Sequence, residues 1–205
     1  MPKIFTLKYR ILTLLIVTFL AHACSDAPNS VPKPKAYYRI NFVEKDYIQF
    51  KNFNGCNYSF LIPSYSAVTP DEANLNEKCW LNINYPKYGG TLHISYFKIT
   101  NRNQIIKLSE DSRKLVFKHT IKASEINEVY LSYPKNNVYG FLYEIEGNAA
   151  SPLQFYISDN KSNFLRGSLY FNMTPNIDFI KPVIDYIRID INKLIESLRW
   201  NPNFN

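Results

Sequence analysis

The sequence has little histidine and none of the short motifs on which many enzymes depend. It contains three histidines in 205 residues, and it has no nucleophile elbow, no phosphate-binding loop and no residue cluster at metal-ligand spacing. His93 lies in a predicted strand, and His119 ends a predicted helix, where a histidine commonly interacts with the helix dipole. We therefore predict no enzyme, no cofactor and no metal. Spacing alone leaves a His–Asp or Glu–Glu pair open as an alternative.

The sequence also lacks an apolar run long enough to span a membrane. Its longest run, at residues 11–20, has about ten residues, whereas a spanning helix needs roughly twenty. Basic residues precede this run and small residues follow it, which is the order of a secretory signal. The ending Ala23-Cys24 resembles a bacterial lipobox and predicts cleavage before Cys24, with acylation of its thiol by chains such as palmitate. Cleavage by an ordinary signal peptidase is the alternative.

Clustered charge of one sign is missing as well. The formal net charge of the full chain is +7, from 24 basic and 17 acidic residues. The leader holds three of the basic residues, so the net charge of the mature chain is +4. The basic residues are scattered along the chain. This predicts no nucleic-acid partner and supports only a weak attraction to anionic membranes or glycans.

Three cysteines are present, and each can be given a role. Cys24 takes the lipid, which leaves Cys56 and Cys79 as a pair in an exported chain. A disulfide is the default for such a pair in an oxidising periplasm, and closing this loop is worth about 3 kcal/mol in the chain-entropy model. A metal site is the alternative, although no other histidine or cysteine lies close to either thiol in sequence.

The chain divides into a signal at residues 1–23, a proline-rich tether at 24–36 and one domain at 37–205 that begins with the segment 37–42. Apolar residues alternate with a period of two in several segments, and two segments show the helical period. Predicted strands lie at residues 57–62, 64–68, 80–85, 91–96, 125–133, 137–146, 153–158 and 163–171. Predicted helices lie at 103–120 and from an N-cap at Asp178, with Pro182 in the first turn, to Trp200. This pattern predicts an α+β domain, an antiparallel β-sheet packed with two amphipathic helices.

One face of the late strands has an unusual composition. Alternation places Tyr139 and Phe141 with the core, and it collects polar residues and tyrosines on the other face, among them Glu144, Glu146, Gln154, Arg166, Ser168 and Tyr170. Arg166 in mid-strand needs a carboxylate or water, and Glu144 or Glu146 is the expected partner. Such a face is either a solvated surface with cross-strand ion pairs, a Tyr/Arg-rich recognition surface, or the site of a catalytic carboxylate pair.

Six stretches together resemble the gliding motility lipoprotein GldD family of Bacteroidetes-type bacteria. They occur in the same order over essentially the whole mature chain, at residues 32–40, 79–83, 111–113, 118–123, 143–151 and 164–172. The most specific are Glu-Gly-Asn-Ala-Ala-Ser at 146–151 and Arg-Gly-Ser-Leu-Tyr-Phe-Asn at 166–172. The order of elements also resembles the Mog1/PsbP-like α/β/α sandwich.

The resemblance implies a non-enzymatic accessory lipoprotein that is required for gliding and type IX protein secretion and works with GldE and the lipoprotein GldJ. We expect it to face the periplasm from a lipid anchor, in a membrane that the residues after Cys24 do not specify. The predicted partner-binding residues are Asn148, Ser151, Arg166, Tyr170, Glu144 and Glu146. The rival hypothesis is an envelope glycan- or small-ligand-binding protein, or an enzyme, that uses the same Tyr/Glu/Arg face.

Overall fold

A computed structural model describes Leu12 and residues 39–51, 55–172 and 177–200. The chain divides into two compact units, Met1–Ala36 and Tyr37–Asn205. Cys24, the tether and, apart from Leu12, the predicted signal lie outside the described residues. Residues 39–46 have no regular secondary structure, so the first strand of the domain begins at Tyr47.

Within the described residues, the strands form two antiparallel sheets. The smaller sheet contains β1 (Tyr47–Lys51), β2 (Tyr58–Pro63) and β10 (Arg199–Trp200), with β2 in the centre. The larger sheet contains β3 (Ala67–Pro70), β4 (Leu81–Tyr85), β5 (Gly90–Lys98), β6 (Ala123–Tyr133), β7 (Val138–Gly147), β8 (Leu153–Ser158) and β9 (Asn163–Phe171). Its strand order is β3-β4-β5-β9-β8-β7-β6. The helices are α1 (Arg102–Phe117) and α2 (Ile177–Ser197). The predicted α+β class is confirmed.

The two helices lie on opposite faces of the larger sheet. Leu142 belongs to the main core, together with Ile187 and Ile191 of α2. Its neighbour Tyr143 belongs to a smaller core with Val116 of α1. Because successive side chains of a strand point to opposite faces, the two helices must cover opposite faces of β7.

The predicted hairpin of β4 and β5 is confirmed, because the two strands pair from Leu81–Ile94 to Tyr85–Gly90. Residues of one parity in these strands are almost completely buried, whereas Asn82 and Ser95 on the other parity are only half-buried. The connection uses a 3₁₀ turn that ends at Gly89, which has a φ of +63°. Glycine adopts this left-handed conformation at little cost.

Two segments pair differently from the sequence prediction. The predicted partner strand at 64–68 is β3, which begins at Ala67 and pairs with β4 rather than with β2. The reason is a turn after Pro63, closed by the Ser66 amide donating to the Pro63 carbonyl at 3.0 Å, which redirects the chain. At the other end of the chain, Trp200 is not helical, because β10 leaves α2 and pairs with β2.

The start of α2 also differs from the prediction. Asp178 lies within the helix and Pro182 lies beyond its first turn, since the helix is described from Ile177. A proline at this depth removes one helical hydrogen bond. The burial of Ile187, Ile191 and Ile195 against the sheet offsets that loss. The residues before Ile177 and the Asp178 side chain lie outside the described part of the chain.

The predicted disulfide between Cys56 and Cys79 is present, with an S–S distance of 2.00 Å and a Cα–Cα distance of 5.5 Å. It connects the segment before β2 to the segment before β4, so it links the two sheets covalently. The Tyr58 hydroxyl donates to the Cys79 carbonyl at 2.7 Å beside the bridge. The disulfide is therefore part of the core and is not a solvent-exposed crosslink.

Candidate functional site

Arg166 lies in the middle of the larger sheet. It is on β9, directly opposite Ser95 of β5 on one side and Tyr156 of β8 on the other. Its side chain is half-buried, and it forms no ion pair within the described residues. Partial burial lowers the pKa of its guanidinium, opposed by the electrostatic effect of Tyr170. A half-buried cation without a protein carboxylate can bind an anionic group from outside the chain.

The expected pairing of Arg166 with Glu144 or Glu146 is wrong. Glu144 lies directly opposite Leu153, and Leu153 is a core residue on the α2 side. Glu144 therefore lies on the other face of the sheet, where the Arg188 guanidinium of α2 donates to it at 3.0 Å. Glu146 is two residues further along the same strand and shares that face.

The polar face beside Arg166 is held in order by hydrogen bonds between strands. Thr91 donates to Asn84 at 3.0 Å, and Asn84 donates to the Thr69 hydroxyl at 3.1 Å. Two register positions away, the His93 Nδ1 lies 2.7 Å from the Asn82 side-chain oxygen. These contacts fix amides and hydroxyls on the exposed side of β4 and β5.

Tyr170 lies on the same face of β9 as Arg166, four residues further along the strand. Tyr170 is 38 % exposed, and its ring meets the His93 ring edge-on, with centroids 5.6 Å apart. Partial desolvation lowers the pKa of His93, opposed by Asp71. An accessible tyrosine in edge-on contact with an imidazole ring is suited to packing against a partner.

Gln154 is a further donor on the same face. It lies opposite Ser168, two residue pairs along the two strands from the Arg166–Tyr156 pair. Gln154 is only 4 % exposed, and its side-chain nitrogen has no hydrogen-bond partner within residues 39–51, 55–172 and 177–200. An unsatisfied buried amide is costly, so Gln154 and Arg166 together leave donor capacity unused at the centre of the sheet.

Helix α1 divides this side of the sheet into a covered part and an open part. It packs against β8 and β9, and its Arg113 reaches Glu128 of β6 at 2.7 Å. The β4 and β5 side chains Asn82, Asn84, Thr91, His93 and Ser95 remain half-buried or exposed. We call these five residues, with Arg166, Ser168 and Tyr170, the Arg166 face.

The loop at 148–151 has two kinds of residue. Asn148 is exposed, whereas Ser151 is completely buried. The Ser151 hydroxyl donates to the Leu153 carbonyl at 3.4 Å, which holds the loop against the start of β8. Ser151 is therefore placed to support the loop, and a partner that touches this loop would meet Asn148.

A buried polar cluster joins the start of the domain to α2. The Lys45 ammonium donates to the Asp190 carboxylate at 2.6 Å, and the Tyr47 hydroxyl donates to the same oxygen at 2.8 Å. The Tyr65 hydroxyl donates to the second oxygen. Lys45 also lies 3.4 Å from the centroid of the Tyr186 ring. Burial lowers the pKa of Lys45, although Asp190 opposes this effect.

Sequence reasoning missed this cluster because its members are distant in the chain. Lys45 and Asp190 are 145 positions apart, and neither belongs to a motif. The only local signal was an aspartate inside the apolar stripe of α2, where a buried acid needs partners.

The described residues contain no group of three or more histidine, cysteine, aspartate or glutamate residues that could hold a metal ion. Among the helices in that part of the chain, none is both long enough and apolar enough to cross a membrane. His119 belongs to a 3₁₀ segment, Lys118–Ile121, and its side chain lies outside the described residues.

Comparison with solved structures finds similarity to the solution structure of cyanobacterial PsbP (CyanoP) from Synechocystis sp. PCC 6803. The TM-score is 0.45 and the sequence identity 10%, over 78% of this chain and 94% of that chain. No curated protein sequence matches the chain.

A family model described as gliding motility lipoprotein GldD matches residues 27–200. The match includes both sheets, both helices and the whole Arg166 face. The chain therefore belongs to the gliding motility lipoprotein GldD family.

Proposed function

We propose that this protein is an accessory, non-enzymatic lipoprotein that binds and stabilises partner proteins of the gliding and type IX secretion machinery. A lipid on Cys24 would hold it in the cell envelope, with the domain facing the periplasm. GldE and GldJ are the proposed partners, as the family resemblance implies. Membership of a gliding motility lipoprotein family supports the envelope location and the role in gliding.

The observation that carries the proposal is that Arg166 has no ion-pair partner among the described residues. No carboxylate within the described residues pairs with it, and the side chains beside it on β5 are only partly buried. A carboxylate supplied by a partner would pair with the guanidinium in a partly desolvated position, where charge-assisted hydrogen bonds are strong. Tyr170 would add an aromatic contact of the kind enriched at binding hot spots.

The same face supports a second candidate, an envelope glycan. The ordered amides and hydroxyls of Asn82, Asn84 and Thr91 and the accessible Tyr170 ring could bind sugar hydroxyls. A catalytic pair is less well supported, because Glu144 and Glu146 lie on the opposite face. Binding of purified domain to envelope polysaccharide that is lost in Tyr170→Ala would favour the glycan.

Charge reversal at Arg166 tests the proposal. Tagged full-length protein carrying Arg166→Glu should lose its co-purifying partners, because losing one side of a paired charge costs about 2–5 kcal/mol, or at least about thirtyfold in affinity. Arg102→Glu is the matched control, since Arg102 is exposed at the first position of α1. Circular dichroism should show that both variants fold. Unchanged partner recovery with folded Arg166→Glu would refute the assignment to this face.

A further inference from the structure

The two edges of the larger sheet are very different. Strand β3 forms one edge, has four residues and ends at Pro70. Strand β6 forms the other edge and has eleven residues, from Ala123 to Tyr133. Short edges and proline prevent unwanted strand pairing, so β3 is protected. Strand β6 contains no proline, lysine or arginine, and its one irregularity lies at its start, between Ala123 and Glu125.

The outer side of β6 is accessible along most of its length. Val129 is 44 % exposed and Tyr130 61 % exposed. Glu128 is exposed as a residue although its side chain is only 28 % exposed, so its main chain contributes the accessible surface. No strand of the described residues pairs with this edge. Eleven residues span about 36 Å, and about half of them direct their N–H and C=O groups outward.

Strand β6 has two charged side chains, Glu125 and Glu128, and Glu128 already pairs with Arg113. Glu125 lies opposite Glu146 of β7, both are exposed, and neither forms an ion pair within the described residues. Pairing of β6 with the β6 strand of a second copy of this protein would place two sets of these carboxylates side by side. Strand β6 has no basic side chain to neutralise them. A strand with lysine or arginine at alternating positions would complement both the hydrogen bonds and the charge.

We propose that β6 accepts a basic β-strand from a partner protein, which extends the larger sheet by strand addition. This surface is separate from the Arg166 face, because β9 is separated from β6 by β8 and β7. Hydrogen bonds from the main chain would supply affinity, and Val129 and Tyr130 would contact side chains on the two faces of the added strand.

Photo-crosslinking in intact cells tests the proposal. The full-length protein would carry p-benzoylphenylalanine at Tyr130 and, as the control, at Glu72, an exposed residue just after the protected edge strand β3. We expect a crosslink at position 130 and none at position 72, and we expect it to join a partner segment with alternating basic residues. A crosslink to a second copy, to another part of the same chain or to a segment without basic residues would overturn the proposal, as would no crosslink.

A charge variant provides the second measurement. Glu125→Lys should reduce the crosslink at position 130 by about fivefold, the order of one cross-strand charge pair. Glu77→Lys, on an exposed residue between β3 and β4, should leave it unchanged. An undiminished crosslink in Glu125→Lys would refute charge complementarity. This outcome is independent of the result at Arg166.

Discussion

The buried Lys45–Asp190 cluster gives the sharpest prediction of stability. Asp190 is 1 % exposed and accepts hydrogen bonds from Lys45, Tyr47 and Tyr65. Asp190→Ala removes the acceptor of all three donors and leaves a poorly solvated ammonium without its counter-charge. Breaking a buried ion pair on one side costs about 3–5 kcal/mol. In a domain of this size, such a loss lowers the melting temperature by about 10 °C.

Urea unfolding followed by circular dichroism measures this loss of stability. Three further variants test whether the loss comes from the buried ion pair. Lys45→Met should cost less than Asp190→Ala, because the two tyrosine hydroxyls still donate to the carboxylate. The double change Lys45→Met with Asp190→Leu should recover part of the loss, since it leaves no unpaired charge.

Asp185→Ala is the matched control on the same helix. Asp185 is 43 % exposed in its side chain, and its contacts to Lys181 and Arg188 are 3.9 and 3.4 Å long. Exposed pairs of this kind contribute about 0–1 kcal/mol. If Asp190→Ala lowered the free energy of unfolding no more than Asp185→Ala, the reasoning on the buried cluster would be refuted.

Three more predictions concern the core. Gly167→Ala should destabilise the domain by about 1–3 kcal/mol in urea unfolding, because an added Cβ would lie 2.2 Å from the Phe155 ring; an unchanged midpoint would contradict this. Replacing the disulfide with Cys56→Ser and Cys79→Ser should lower the free energy of unfolding by about 3 kcal/mol, because the two cysteines are 23 positions apart in sequence. Reductant should destabilise the wild-type protein in urea unfolding and should have no effect on the double variant. Burial raises the pKa of the Tyr58 hydroxyl above its ordinary value, so its contribution to stability is present below about pH 10 and is lost as the pH rises further. A urea midpoint that stays constant as the pH is raised from about 9 to about 11 would contradict the last prediction.

Local patterns predicted the last hairpin completely. Apolar alternation gives the bounds of β8 and β9 as the structure has them. The turn between them is built around Asp159, whose carboxylate accepts hydrogen bonds from the amides of Lys161, Ser162 and Asn163 at 2.8–2.9 Å. An aspartate that folds its own turn is a local feature, so sequence alone suffices to find it.

Strand β7 could not be oriented from sequence, because both of its faces are covered. Leu142 is buried under α2 and Tyr143 under α1, so apolar residues occupy both parities and alternation does not identify the core face. This ambiguity placed Glu144 with Arg166. The pairing of Glu144 with Leu153, which resolves the ambiguity, depends on how β7 meets β8 and is invisible in either strand alone.

Polar contacts between residues that are distant in the chain could not be predicted from the sequence either. Alternation placed Arg166, Ser168 and Tyr170 on one face of β9, but it did not bring the β4 and β5 residues of the Arg166 face beside them. The Lys45–Asp190 contact joins the first segment of the domain to its last helix, and only the assembled fold brings these residues together. The position of Ser151 inside its loop likewise depends on packing against β8.

The most direct test of the central claim is a pull-down in mild detergent from cells that express tagged wild-type protein beside Cys24→Ala, with mass spectrometry of both samples. A lipid-tethered partner-binding protein should recover components of the gliding and secretion machinery, and the recovery should be lost or weakened without the acylated cysteine. Recovery of the wild-type protein as a monomer with no partner would contradict the account and direct attention to a small ligand of the Arg166 face.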